Sequence, residues 1–290
     1  MPTLTKSQIL TRSGNPHVPS LENRVAYQCE QPLDTVGFRS VTQKDQTVLR
    51  WLRTSMSEKS TAFLDVGCAY GNFALMLNAL MGKPQQTEFH GVDLYAEGLK
   101  FAQDFAQTVP DYSNCKYQTA DITGSLPFPD NYFDAVHMGD VIEHLEDPLH
   151  AVRELSRVAK SSGTIVITTP LKDGLFKKLA AGINWLAGGR LYQSYYKGKC
   201  AELDSENKPI MDVHAGHDHI SEMTLPELTA LFRKSGLIIE EVKLGPIMSG
   251  SAWFDKSAFL LSMIFFLEGV HEFCNFPSWA HSVSFRLRKP

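Results

Sequence analysis

The chain has 290 residues, a formal net charge of −4, and 43% hydrophobic against 21% charged residues. That length makes one large domain with insertions or two small ones, and the balance is that of a globular enzyme. A general nucleic-acid binder carries a basic excess to neutralise phosphates, so the charge argues against that role. The five cysteines (Cys29, Cys68, Cys115, Cys200, Cys274) form no CxxC pair. They read as free thiols in a reducing compartment, not as a disulfide framework or a zinc ribbon.

Residues 1–20 contain no apolar h-region, and the expected location is cytoplasmic. Residues 1–57 read as an N-terminal arm and helical cap, in which "DQTVLRWL" places Val48, Trp51 and Leu52 on one helical face. The main domain is 58–290. Its strand-like runs "TAFLDVG", "TEFHGVDLY", "CKYQTADIT", "YFDAVHMGD" and "SGTIVITTP" are interleaved with the helical patterns "NFALMLNALM", "AEGLKFAQDFAQ" and "PLHAVRELSRVA". Strands alternating with helices of about ten residues specify parallel βαβ units with helices on both sheet faces. Asp147 suits the N-cap of the third helix and Pro148 its first turn.

Insertions are expected at 170–220 and 245–280. Between them, "MTLPELTALFRKSG" is a helix capped by Thr224 with Glu227 three residues on, and "LIIEEVKL" is a sixth strand. The first insertion carries Trp185, Tyr192, Tyr195 and Tyr196 with Arg190 and Lys197 among and beside them, a set able to stack a planar or anionic acceptor. The second holds "AFLLSMIFFL", ten residues where a membrane span needs about 20. Apolar nearly all round, that helix is read as lining a substrate tunnel, pairing in a homodimer or making peripheral membrane contact. "HSVSFRLRK" alternates as a final strand, the seventh.

The first strand–loop–helix, "FLDVGCAYGNFAL", turns between Gly67 and Gly71. Glycine admits positive φ and close ligand approach. The G-x-G-x-x-G of a nicotinamide site fails at Ala69 and Asn72. Asp65 would repel a pyrophosphate and suits an amino-bearing ligand. Asp93, ending the second strand, can accept both hydroxyls of a ribose. Asp121 beside a backbone N–H can read an adenine edge, with Ile122 on the ring. Three acids at three consecutive strand C-termini sit where open α/β sheets bind ligands.

These segments, Asp65–Gly71, Gly91-Val-Asp93-Leu, Ala120-Asp121-Ile and "LPFPDNYFDAV" (126–136), resemble class I S-adenosylmethionine (SAM)-dependent methyltransferases of small-molecule type, akin to those of the ubiquinone pathway. The resemblance covers about residues 60–170 and the helix–strand at 224–244. It implies a three-layer Rossmann-like α/β fold, a seven-stranded mostly parallel sheet with helical cap insertions, and SAM as cofactor. The Gly67–Gly71 loop, with Asp65 and Cys68, would wrap the amino-acid part of SAM. Asp93 and Leu94 would take the ribose, Asp121 and Ile122 the adenine, and Gly139 would complete the site.

"DVIEHLEDP" (140–148) follows the fourth strand. In a helix Asp140, Glu143 and His144 would share a face. The stretch resembles small-molecule methyltransferases, and also small-RNA 3′-terminal 2′-O-methyltransferases, which hold Mg²⁺ with E-x-x-E-H and a later histidine. Here that histidine would come from "DVHAGHDH", and the Mg²⁺ set would be Asp140, Glu143, His144 and His217. The metal-free reading makes the acids architectural and gives base catalysis or substrate positioning to His144, His217 or His219; His214 reads as a surface histidine. The expected reaction is O-methylation of a small molecule, lipophilic or glycosidic. A Mg²⁺-dependent RNA methyltransferase and a non-catalytic SAM-binding protein are the rival readings.

Overall fold

The computed structural model describes residues 36–56, 59–82, 84, 86–108, 110–175, 178–179, 182, 219–247 and 258–290. Its elements, in chain order, are α1 (Val36–Ser55), β1 (Ala62–Val66), α2 (Asn72–Leu80), β2 (Glu88–Asp93), α3 (Ala96–Thr108), β3 (Cys115–Thr119), β4 (Phe133–Gly139), α4 (Pro148–Val158), β5 (Ala159–Pro170), α5 (Leu225–Lys234), β6 (Ile238–Leu244), α6 (Ala258–Cys274) and β7 (Ser282–Arg288). The strands make one sheet in the order β3-β2-β1-β4-β5-β7-β6. All neighbours are parallel except β7, which runs antiparallel between β5 and β6. The seven-stranded, mostly parallel α/β fold is therefore as expected.

Strand alternation divides the core between the two faces. Leu64, Val66, Val136, Met138, Ile165, Ile167, Phe285 and Leu287 face one side and pack on Val152 and Leu155 of α4 and on Leu228 and Phe232 of α5. Phe63, Phe89, Ala135 and Val166 face the other, against Val48, Leu49, Trp51 and Leu52 of α1 and Ala74, Leu75 and Leu77 of α2. Trp51 and Leu52 are 2% and 0% exposed, so α1 is part of the second helical layer.

Local signals end the helices where the sequence places them. The Asp147 carboxylate accepts the His150 amide N–H at 3.0 Å and caps α4. Thr224 and Glu227 form a reciprocal capping box on α5. Arg157 of α4 reaches the carbonyls of Leu126 and Phe128 and the Asp130 carboxylate, which fixes the "LPFPD" loop before β4. On α6, Ile264, Glu268 and His271 are buried while Phe259, Phe266 and Phe273 stand exposed seven residues apart. No helix among the described residues is long and apolar enough to cross a membrane.

The chain runs outward from β1 to β2 and β3, then returns to place β4 on the other side of β1. The crevice at this reversal, above the strand C-termini, is where sheets of this kind take ligands.

Candidate functional site

The loop after β1 is bent into its shape by two glycines. Gly67 and Gly71 have φ of 75° and 71°. A Cβ on Gly67 would lie 2.2 Å from the Val141 side chain, and one on Gly71 would lie 2.4 Å from the Tyr117 ring. The amides of Gly67 and Cys68 both donate to the Val92 carbonyl, at 2.8 and 3.1 Å. Ala69, also at positive φ, donates to Asp93 Oδ2 at 2.7 Å, and Tyr95 donates to Asp93 Oδ1 at 2.8 Å. Asp93 thus grips the loop after β1 and the turn after β2 at once. Each carboxylate oxygen keeps a second lone pair for a ligand hydroxyl.

Leu94 beside it is 61% exposed. Asp121 is exposed, and its Oδ1 accepts the Thr123 amide at 2.8 Å; Ile122 is buried at 7%. Cys68 is buried, and burial, with Asp65 and Asp93 nearby, pushes its thiol pKa well above 9.0, so it is an uncharged wall residue.

Asp65 does not face the crevice freely. It is 2% exposed, and its Oδ1 lies 2.7 Å from His137 Nδ1 on the neighbouring strand β4, where the two residues are register partners. The His137 ring stacks on Phe73 of α2, with centroids 4.1 Å apart and planes 19° apart. Sequence reasoning missed His137. The available signal was polar residues at inward positions of two otherwise apolar strands.

The stretch after β4 is not a helix with three residues on one face. Asp140 has φ of 54°, and only Ile142–His144 form a 3₁₀ turn. Asp140 turns outward: its amide donates to the Thr168 carbonyl and its carboxylate pairs with Lys44 of α1. Burial works against the Lys44 charge, but Asp140, with Asp45 and Glu143, outweighs it and raises the lysine pKa above 10.5. Glu143 turns inward, 1% exposed, with Oε2 accepting from Thr169 Oγ1 at 3.0 Å. Burial, then the Asp140 charge, raises its pKa to about 7.

Residues 219–223 return to cover this turn. Ser221 N–H donates to the Glu143 carbonyl at 3.0 Å, and Met223 bridges to Leu171 beyond β5. His219 thereby stands against His144, ring centroids 4.9 Å apart and nearly perpendicular. Its Nδ1 lies 2.6 Å from Glu222 Oε1. An ionised carboxylate only accepts, so Nδ1 carries the proton and Nε2 keeps a lone pair.

Glu143, His144 and His219 offer ligand atoms all within 4.8 Å of one another. This corrects the Mg²⁺ set expected from sequence in one respect: Asp140 is engaged by Lys44 and is not in the cluster. His217, His214 and the aromatics Trp185, Tyr192, Tyr195 and Tyr196, with Arg190 and Lys197, lie outside the described residues. One carboxylate and two imidazoles could hold a borderline divalent cation such as Zn²⁺, but they suit Mg²⁺ poorly, because Mg²⁺ takes near-octahedral oxygen coordination.

Residues 64–167 match the family model described as a methyltransferase domain. Ajmaline N-methyltransferase of Rauvolfia serpentina is 34% identical over 110 residues, 38% of this chain and 36% of its own. Demethylmenaquinone methyltransferase of Anoxybacillus flavithermus is 25% identical over 220 residues, 72% of this chain and 79% of its own. Among solved structures, a putative sarcosine dimethylglycine methyltransferase from Galdieria sulphuraria superposes with a TM-score of 0.56 at 17% identity, covering 87% of this chain and 88% of that one, and so shares the fold. The chain spans little more than a third of the first curated relatives it matches, 36% and 39% of their lengths.

Proposed function

From the premise that residues 64–167 form a class I SAM-dependent methyltransferase domain, we propose that the chain methylates a hydroxyl of a small-molecule acceptor. The observation that carries the SAM-binding half of this is the Asp93 grip, and the hydroxyl is read from the His219–Glu222 pair. One carboxylate holds the Gly67–Gly71 loop open over the switch point and keeps lone pairs for a ribose. The residues fit SAM: the glycines let the loop pack tightly on Val141 and Tyr117 at positive φ, the exposed Leu94 offers an apolar face to a flat ring, and Asp121 is exposed two residues beyond the end of β3. Relatives named for ajmaline and demethylmenaquinone support a small-molecule acceptor.

SAM, when bound, supplies an electrophilic methyl group on a sulfonium and leaves as the neutral thioether. The chain's own work is to position the acceptor and to take its proton. His219 suits the second task. Glu222 fixes its tautomer, and the free Nε2 accepts the hydroxyl proton as the new C–O bond forms. His144 packs on its ring and Glu143 supports the turn from below, in the architectural role.

Calorimetry with SAM and transfer of labelled methyl to a hydroxylated acceptor test the reading. We expect SAM binding, and transfer that a chelator leaves unchanged. NAD binding without SAM binding would sink the proposal. Loss of transfer with chelator would give the Glu143–His144–His219 cluster to a metal.

A further inference from the structure

A cavity of about 340 Å³ lies between α1 and α6, over the ends of β6 and β7. That is room for a small ligand. Its walls include Lys44 and Arg50 of α1, Lys243 of β6, Ser284 of β7, and Glu268 and His271 of α6.

Two observations join it to the methyl-transfer site. First, Gly139, Thr168, Ser284 and Lys243 are consecutive register partners across β4, β5, β7 and β6. Three strand spacings put Lys243 about 14 Å from the end of β4. Second, Lys44 lines the cavity while its ammonium meets Asp140, the residue after Gly139. One end of the cavity therefore abuts the turn that carries the base cluster.

The wall holds three cations, Lys44, Arg50 and Lys243, and two carboxylates, Glu268 and Glu272. Lys44 is answered by Asp140. Glu268 Oε1 takes the Ile247 amide N–H at 2.9 Å. Glu272 adds one carboxylate. Arg50 and Lys243 form no ion pair with a carboxylate among the described residues, and they reach the cavity from different elements, α1 and β6.

His271 supplies a further unmet group. It is 2% exposed, and burial holds its pKa below 6.5, so the ring is neutral near pH 7. Nε2 donates to the Gly245 carbonyl at 3.0 Å, which leaves Nδ1 as a lone-pair acceptor that no partner meets among the described residues. An unmet buried acceptor is costly, and a hydroxyl donor on a ligand seated against the ring relieves it.

We propose that this cavity binds the anionic end of the methyl acceptor, a phosphate or carboxylate clamped between Arg50 and Lys243, with a neighbouring hydroxyl turned toward His271. The proposal rests on the methyltransferase reading and adds to it that the acceptor is a hydroxylated anion. An arginine and a lysine from two separate elements suit an anion with several acceptor oxygens.

The test uses the full chain with SAM present and three probes at constant ionic strength: glycerol 3-phosphate, 3-hydroxybutyrate and, as the uncharged control, glycerol. Binding is followed by calorimetry. We expect at least one anion to bind and glycerol not to. We expect the Arg50→Gln, Lys243→Gln double variant to bind the anion at least tenfold more weakly while its SAM affinity is unchanged. Preference for the phosphate or for the carboxylate identifies the source of the charge. The proposal is overturned if neither anion binds better than glycerol, or if the double variant binds them as the wild type does. The SAM titration on the same samples keeps the two questions apart, since absent SAM binding fails the methyltransferase reading and leaves the anion result legible.

Discussion

Glu143 is the buried acid whose behaviour with pH follows most directly from its surroundings. Its pKa is about 7 in the folded chain against 4.5 for the free group. A raised folded pKa means that folding favours the protonated form. The associated stability is fully present below pH 4.5 and is lost as pH rises through 7, where the carboxylate must ionise in a buried place beside Asp140. A pKa difference of that size corresponds to about 3 kcal/mol. Glu143→Gln removes the titration, keeps the volume and keeps a carbonyl oxygen for Thr169 Oγ1.

Urea unfolding of both proteins between pH 4 and 9 isolates the effect, because every other titrating group is common to the pair. At pH 4 the two should be equally stable. The glutamine variant should then gain steadily on the wild type, reach an advantage of about 3 kcal/mol just above pH 7, and hold it. A difference that stays flat from pH 4 to 8 would mean that Glu143 is solvated or already paired, and the account of its burial would be wrong.

Asp93→Ala removes two charge-assisted amide contacts and the ribose acceptor, and should weaken SAM binding at least tenfold by calorimetry, since one such bond is worth about 1.5–3 kcal/mol. His219→Gln should lower kcat by roughly 10²–10⁴ with SAM affinity unchanged, the range for loss of a positioned general base; an unaltered kcat would remove His219 from the chemistry. Asp140→Asn keeps a residue that tolerates positive φ but deletes the charge that raises the Glu143 pKa, so the pH at which Glu143→Gln gains its advantage should fall. Asp147→Ala should cost about 1 kcal/mol in urea unfolding through loss of the α4 N-cap, with SAM affinity unchanged.

The elements were legible because each carries a local cause. Buried parallel strands read as short apolar runs, Asp147 and Thr224 cap the helices they precede, and Val48, Trp51 and Leu52 recur at helical spacing. The glycine loop and the acids at strand ends were legible because topology puts strand C-termini together. The site's pairings were not. Asp65 meets His137 only because the chain returns to lay β4 beside β1 in a given register. Lys44 meets Asp140 across 96 residues. That His219 packs on His144 is set by residues 219–223 docking on the 141–145 turn, and no periodic pattern in "HAGHDH" specifies it.

"DVIEHLEDP" misleads as a sequence for one identifiable reason, the conformation of Asp140. A non-glycine residue at φ 54° carries strain of order 1–3 kcal/mol. Three contacts hold it there: the amide bond to Thr168 O, the Thr168 hydroxyl donating to its carboxylate at 3.5 Å, and the ion pair with Lys44. The reversal ends β4 without starting a helix, so that residues expected on one face diverge. Asp140 points to α1, Glu143 enters the core, and His144 meets the returning chain at His219. The same reversal ties α1 to the end of the sheet where the strand C-termini lie, with α1 across β5 and β7 and Lys44 on Asp140. Helix α1, the cavity between α1 and α6, and the Glu143–His144–His219 cluster therefore meet through one strained residue just past the end of β4, and the placement of α1 is part of how that turn is set.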